Sequence, residues 1–485
     1  MKYTAINIGP IISTFSMARK PRELWAASYM FSHLMKCIYS EAENEGEVIS
    51  PSKPKENISK VGIYPDRIYI KGEINADDIT KNAFLQFYFD LLGNKPRNEN
   101  NPDLEYFNIM VASCEASRES EAISILNQKL DILELNNQAT DRDAAKSISD
   151  IIKKKKFSSL FQLATGKDRF PIPELEEIAK RELTEHPELK KKSHHKYFCV
   201  VQADGDNVGK TVSHRDLDNG QVKVISAALV HFGQNAAEII EGFGGLPIYA
   251  GGDDLLFIAP VIGKDNTNIL DLLNKIETEA FGGVADIVKN LKLHKYDDDG
   301  KKTEELIEAS LSFGISISYY KYPLYEAFET ARNLLFGTAK NIDNKKAVAW
   351  SFRKHSGGIF NAAFSLKNGS LQTAFQNLIQ NTDEDTIVSA VAHKIRQEEV
   401  LVNTVMESEK DIPYTAKDDK VPERPRLDAL FDKVLEFQDN AYFKAVKNIM
   451  PILYEEVGEK QFISTLYSLL RTAKFIKGED LHDEE

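Results

Sequence analysis

The stretch LPIYAGGDDLLFIAP, Leu246 to Pro260, sets two glycines and two adjacent aspartates between two apolar runs. Short apolar runs on either side of a Gly-Asp cluster read as the two strands of a hairpin with GGDD at its tip. Adjacent carboxylates repel one another and resist burial, so Asp253 and Asp254 call for something positive between them.

The flanking pattern supplies a topology. Strand-like YFCVVQA begins at Tyr197, and helical VISAALVHFGQNAAEIIEGF separates it from the hairpin. After the hairpin come helical ILDLLNKIETEAFGGVADIVKNL, strand-like LSFGISISYY, helical LYEAFETARNLLFGTAK and strand-like KAVAWSF. This is β-α-β-β-α-β with a helix-strand extension, the ferredoxin-like arrangement. In that arrangement the first and third strands are neighbours, so ADGDN (Ala203 to Asn207) meets the GGDD turn at one rim. Asp204 then converges with Asp253 and Asp254.

Three carboxylates at one place suit a hard cation with oxygen ligands, Mg²⁺ or Mn²⁺. A pair of such ions about 3.5–4 Å apart serves in-line attack at phosphorus. Gly251 and Gly252 permit a tight turn and a close approach of a triphosphate. Gly205 could open backbone N–H groups to phosphate. Gly and Asp are also the commonest residues of a plain hairpin turn, and Asp206 reads equally as a further ligand or as the cap of the next helix.

The N-terminal segment offers a similar alternation. Strand-like YTAINIG leads into helical RELWAASYMFSHLMKCIY, followed by a polar loop, SEAENEGEVISPSKPKENIS. Strand-like DRIYIKG, helical NAFLQFYFDLL and strand-like YFNIMVASC complete a second mixed unit, which suggests an internal duplication. From about Ser117 to Pro187 the pattern is helical and charged. Beyond Ser356 it reads as helices, interrupted by the polar linker ESEKDIPYTAKDDKVPERP and closed by the acidic tail GEDLHDEE. The expected class is α+β, with four parts at 1–115, 116–193, 194–358 and 359–485.

The chain's 485 residues favour two to four domains. A net charge of −13 argues against unspecific coating of nucleic acid or membrane while leaving room for a local basic site. The most basic runs, Lys153 to Lys156 and LKKKSHHK (Leu189 to Lys196), read as solvated helix ends or loops. Three scattered cysteines, Cys37, Cys114 and Cys199, form neither a disulfide framework nor a C-x-x-C zinc site. With no signal-peptide core and no run of 18 apolar residues, a cytoplasmic protein is expected, with no membrane partner.

YAGGDDLLFIAP, KYFCVVQADGDNVGK and SFGISISYYKYPLYEAFETARNLLFGTAK together resemble the polymerase-like large subunit of type III CRISPR effector complexes, of the Cmr type. NIGPIISTFSMARKPRELWAASYMFSHL and GIYPDRIYIKG are similar to that subunit's first palm domain, so the resemblance spans both α/β units. It implies two ferredoxin-like palm domains with a helical insert and a helical C-terminal domain. It implies binding of ATP and synthesis of a nucleotide second messenger, cyclic oligoadenylate, on capture of target RNA. It also implies partners: small helical subunits, the backbone subunit that binds the crRNA end, crRNA and target RNA.

Asp204, Asp253 and Asp254 match the family's metal positions, with Asp253 and Asp254 as the catalytic pair. Gly205, Gly251 and Gly252 fall in the nucleotide-binding segments. Asn207 and Lys210 lie where a base or phosphate contact is expected; Ser312 opens the fourth strand beside the site, and Lys340 matches a lysine placed against the triphosphate. Arg19 and Arg22 could reach a second nucleotide, whereas Trp25 and Tyr29 belong in the core. Two departures stand out. Many members begin with an HD nuclease domain, whereas this sequence opens on the palm-like unit and its lone His482-Asp483 lies in the tail, so DNase activity is not expected; many also carry a four-cysteine zinc site that three scattered cysteines cannot build, so no zinc is expected. The resemblance also takes in some members without the nuclease that join ATP to S-adenosylmethionine instead of to another ATP, which leaves the acceptor open. A diguanylate-cyclase-like enzyme and an inactive scaffold subunit are the rival readings.

Overall fold

Alternation along Tyr197–Asp206 (β5) sends neighbouring side chains to opposite faces, and both faces are covered. Phe198 and Val200 pack with Leu256, Ile258 and the helix Leu324–Gly337, whereas Cys199, Val201 and Ala203 pack with Phe257, Ala259 and the helix Gln221–Phe243. Double coverage explains why the segment reads as almost continuously apolar. The computed structural model describes the chain except residues 55–59, 93–105, 136–141, 156, 167–171, 298, 343–344, 368, 383–386, 413–423, 435–439 and 479–485. His482-Asp483, Lys156 and most of the polar linker therefore lie outside the described residues.

The first unit comprises β1 (Lys2–Asn7), β2 (Glu47–Ser50), β3 (Arg67–Lys71) and β4 (Met110–Glu115), with the helix Pro21–Glu45 between β1 and β2 and Ala76–Leu92 between β3 and β4. Its sheet order is β2-β3-β1-β4, antiparallel throughout. The second unit comprises β5, β6 (Leu246–Gly251), β7 (Asp254–Pro260), a small hairpin β8 (His294–Tyr296) and β9 (Lys302–Leu306), β10 (Ser310–Tyr319), β11 (Ala347–Arg353) and β12 (Ile359–Ser365). Its main sheet runs β12-β11-β10-β5-β7-β6. Positions β6-β7-β5-β10 repeat the order of β2-β3-β1-β4, so both units are ferredoxin-like and the duplication is visible as topology. Among the described residues, helices are the regular elements between Glu119 and Glu185, as the sequence suggests, and between Ser370 and Lys477.

Four strands depart from the sequence reading. EVIS (β2) lies inside the polar loop, and β8–β9 interrupt the run into β10. Past Ser356 the chain does not turn helical at once: β12 pairs antiparallel with β11, burying Phe360, Ala362 and Phe364 in alternation. IFNAAFS alternates with period two, but Asn361 and two alanines dilute the signal. Beyond it the helix Glu459–Lys477 packs back on the sheet, with Phe475 stacked on Phe352 at 3.9 Å and the Trp350 indole N–H donating to Thr472 at 3.3 Å.

The two units meet along β6. Ala250 N–H donates to the Gly62 carbonyl at 3.0 Å, and Ser28 Oγ donates to the Ile248 carbonyl at 2.7 Å. Trp25, wholly buried, donates its indole N–H to the Lys60 carbonyl at 2.6 Å and stacks on Tyr29, as expected of core residues. Arg19 lies over the Tyr325 ring at 4.2 Å, and Arg22 is exposed.

Two glycines allow helices to lie directly on the second sheet. A Cβ at Gly233 would stand 2.5 Å from the Ala250 carbonyl oxygen, and one at Gly314 would stand 2.2 Å from the Ala331 oxygen and 2.5 Å from the Leu335 nitrogen. Both obstacles at Gly314 are backbone and cannot yield cheaply. Gly314→Val should therefore lower the unfolding free energy by about 3 kcal/mol or more in chemical denaturation. Gly242→Ala, on an exposed helical position with open space around it, should leave stability unchanged or raise it by about 0.5–1 kcal/mol.

Candidate active site

Antiparallel pairing of β5 with β7 runs from Phe198↔Pro260 to Ala203↔Leu255, so the next residues out, Asp204 and Asp254, arrive side by side. The pairing is extended by one bond beyond the ladder, from Gly205 N–H to the Asp253 carbonyl at 3.1 Å. Between β6 and β7 the turn is two residues long, closed by the Gly251↔Asp254 pair, with Gly252 at φ +66°. That backbone conformation at the first central position is the reason for glycine there. All three aspartates are half-buried and gather at this rim.

Gly205 plays a different part from the phosphate donor expected of it. Its N–H is taken by Asp253, and a Cβ on it would lie 2.6 Å from Asp253 Cβ and 2.7 Å from Oδ2. The missing side chain makes the space in which the Asp253 carboxylate rests.

Electrostatically the rim is short of positive charge. Burial, then the Asp204 charge, pushes Asp253 up to about 7. Burial, then Asp204 and Asp253, holds Asp254 well above the ordinary carboxylate range. Oxygen-only donors whose mutual repulsion favours uptake of positive charge fit a hard divalent cation, and Asp204, Asp253 and Asp254 are the residues that would hold it.

Lys340 stands beside them on a short turn, Ala339–Asn341, after the helix has ended at Gly337. Its ammonium donates to the Asp204 carbonyl at 2.9 Å, the Gly205 carbonyl at 3.0 Å and Asp206 Oδ1 at 2.7 Å, and it is ion-paired with the Asp204 carboxylate. Burial alone would lower its pKa; Asp204 and Asp206 outweigh that and hold it above the usual lysine value. The lysine thus clamps the end of β5, and a phosphate contact would require it to leave one of these partners.

Asp206 is completely buried and neither caps the next helix nor faces the rim. Its Oδ2 accepts from Ser310 Oγ at 2.9 Å, Ser312 Oγ at 2.8 Å and Lys346 N–H at 2.9 Å. Ser312, expected to meet a nucleotide, spends its hydroxyl on Asp206 and is itself fully buried. Asn207 takes the left-handed conformation, φ +63°, and donates Nδ2–H to the Glu308 carbonyl at 2.9 Å. Lys210 is exposed on the helical turn that follows.

Sequence reasoning missed Asp66. It lies in the YPDR segment of the first unit, just before β3, and its charge raises the pKa values of both Asp253 and Asp254. Pro65 is the neighbour of the Gly252 turn, 3.8 Å from where a Cβ would stand. The first unit therefore brings a fourth carboxylate into the field of the hairpin tip. Only the inter-unit contact along β6 puts it there, and no local pattern marks it.

A buried cluster of one carboxylate and two imidazoles sits in the linking region. Glu182, His194 and His195 are buried with Glu182 Oε2 at 3.1 and 2.7 Å from the two imidazole Nε2 atoms. Lys192 N–H donates to His195 Nδ1 at 2.8 Å, which places the proton of that ring on Nε2, facing Glu182. Burial opposes ionisation of Glu182, but the two imidazoles prevail and hold its pKa at about 2. This hydrogen-bonded trio, and not packing alone, ties the linking region together.

The family model described as Cas10/Cmr2, second palm domain, matches residues 197–349, and that described as CRISPR-associated protein Cmr2, N-terminal, matches residues 3–154. The CRISPR system Cmr subunit Cmr2 of Pyrococcus furiosus is 32% identical over 206 residues, a match taking in 38% of this chain and 21% of that protein. The chain thus spans about a fifth of the curated relative it matches. Among solved structures, the apo type III-B Cmr-beta complex has a chain similar at TM-score 0.59 and 11% identity, covering 99% of this chain and 82% of that one. The Csm1–Csm4 cassette in complex with pppApA gives TM-score 0.54 at 11% identity, covering 99% and 69%. At such identities the likeness is one of fold. Among the described residues no helix is long and apolar enough to cross a membrane.

Two substitutions test the geometry. Gly205→Ala should weaken Mn²⁺ binding, followed by electron paramagnetic resonance, about 10- to 100-fold, because Asp253 loses its resting place. Lys340→Ala should lower stability by about 3–5 kcal/mol, since it strands a buried carboxylate. Combining Lys340→Met with Asp206→Leu should recover part of that loss, because the fully buried carboxylate is removed together with its cation and the Asp204 carboxylate keeps access to solvent.

Proposed function

The chain belongs to the Cas10/Cmr2 family, and from that premise we propose that it is the nucleotidyltransferase subunit of a type III CRISPR effector complex. The observation that carries this reading is the meeting of Asp204, Asp253 and Asp254 at one rim, where a cation is electrostatically favoured. The reaction proposed is attack of a hydroxyl on the α-phosphorus of ATP: the new P–O bond forms, the bond to the bridging oxygen breaks, pyrophosphate leaves, and the hydroxyl gives up its proton. Divalent ions, Mg²⁺ or Mn²⁺, bound by the three carboxylates would supply activation of the hydroxyl and charge neutralisation of the leaving group.

The chain's own contribution is placement. Gly252 leaves room for phosphate beside the backbone, whereas the space at Gly251, expected to be open as well, is filled by the Tyr249 phenol, whose oxygen lies 2.5 Å from where a Cβ would stand. Lys340 holds Asp204 in register with the hairpin and puts a cation at the rim. Asn207 and Lys210 follow the same end of β5, with Lys210 exposed. Segment 60–66 of the first unit forms the opposite bank, so the acceptor site would be built by both units.

The product proposed is a nucleotide second messenger, cyclic oligoadenylate or an AMP conjugate of S-adenosylmethionine. Shared fold with a cassette that holds pppApA, a linear adenylate, supports the first. The partners proposed are the small helical subunits, the backbone subunit at the crRNA end, crRNA and target RNA, in keeping with a fold found in a Cmr-beta complex.

Incubating the assembled complex with target RNA, labelled ATP and Mg²⁺ or Mn²⁺, with and without S-adenosylmethionine, and identifying products by mass tests the proposal. Asp253→Ala with Asp254→Ala should abolish product while the complex assembles and the melting temperature does not fall, because like charges are removed. Normal turnover in that variant would refute the assignment, and product made from GTP alone would point to a diguanylate-type cyclase.

A further inference from the structure

At the end of the second sheet remote from the carboxylates there is a cavity of about 470 Å³. It opens where β5 begins: Tyr197 lines it, seven residues from Asp204, which at ~3.3 Å per residue puts the two places about 23 Å apart. Four cations line it, Lys196, Lys354, Arg471 and Lys474, together with His355, and no Asp or Glu does among the described residues. In a chain of net charge −13 such a one-signed lining runs against composition. Lys196 ends the LKKKSHHK run, whose only other assigned role is the buried pair of histidines.

The walls are aromatic as well as basic. Tyr197 meets Phe475 edge-on at 4.8 Å and Tyr319 at 5.8 Å, and His355 lies edge-on to Tyr319 at 4.6 Å. His355 N–H donates to Tyr197 Oη at 3.0 Å, and Lys354 N–H to the Gly358 carbonyl at 2.8 Å, so the β11–β12 connection is held in place as one wall. The helix Glu459–Lys477 supplies the other, with Arg471 and Lys474 one turn apart. Cations for phosphate oxygens beside flat rings for a base are the two elements of nucleotide recognition without sequence preference. Its volume is of the order of one or two nucleotides.

We propose that this cavity is a binding site for a phosphorylated nucleoside, separate from the carboxylate rim, with phosphate on Arg471, Lys474, Lys354 and Lys196 and the base against Tyr319. That chemistry has two sources, a free nucleotide or one unit of a single-stranded RNA.

The test uses the full chain with EDTA present, so that it stands apart from any metal-dependent binding at the rim. Anisotropy of a fluorescent ten-nucleotide single-stranded RNA is measured, and AMP is then titrated as competitor; direct calorimetry with AMP covers the free-nucleotide source. Arg471→Glu with Lys474→Glu should weaken binding of the responding probe at least ~10-fold and flatten its salt dependence. Lys289→Glu, an exposed lysine on another helix, should not. Lys354→Glu, on the connecting loop, gives the same reading should the helix variant melt early in circular dichroism. RNA binding that AMP displaces assigns the site to an RNA strand; AMP binding alone assigns it to a free nucleotide. No binding of either probe, or equal weakening by Lys289→Glu and the pocket variants, overturns the proposal.

Discussion

Pairing of β5 with β7 puts two costly groups at the same height, the Asp204 carboxylate and the Asp253-Asp254 turn, and everything at the rim follows from managing that cost. The ladder continues through a bond from Gly205 to Asp253, so the backbone, not any side-chain attraction, forces the carboxylates together. What attraction exists comes from Lys340, which reaches the last three residues of β5 at once. Asp206 anchors that lysine from below, and Ser310, Ser312 and Lys346 anchor Asp206. The site is therefore an outward-facing acidic edge resting on an inward-facing, fully satisfied network.

That distinction separates what could be read from the sequence from what could not. The order of strands and helices in the second unit was legible because each element carries a strong period and each junction carries a glycine, proline or aspartate. The convergence of Asp204 with the hairpin followed from topology alone. Hydrogen-bond assignments within the network did not. Asp206 and Ser312 are polar residues near a rim in sequence terms, and only the registry Ser310↔Asp206 across β5 and β10 turns them inward, towards each other. Lys340 was legible as a cation near the site, but not as a group already engaged. Asp66 carried no signal, since its place depends on a contact between units.

The weaker strands failed for a related reason. EVIS, HKY and IFNAAFS are short or diluted by small and polar residues, and each is stabilised by its neighbour in the sheet more than by its own pattern. β2 completes the first sheet beyond β3, and β12 covers β11.

The second sheet does not end where the repeated ferredoxin-like order ends. β11 adds in parallel to β10, β12 closes over β11, and the Phe352–Phe475 and Trp350–Thr472 contacts fasten the last long helix to the same strands. A fragment cut to the catalytic-looking unit alone would bare two large rings and leave a parallel edge strand with its backbone groups unmet. The smallest self-standing piece that includes the acidic rim must therefore bring the C-terminal helices with it. Whatever grips those helices from outside is holding, through one uninterrupted layer of side chains, the strand that carries Asp204.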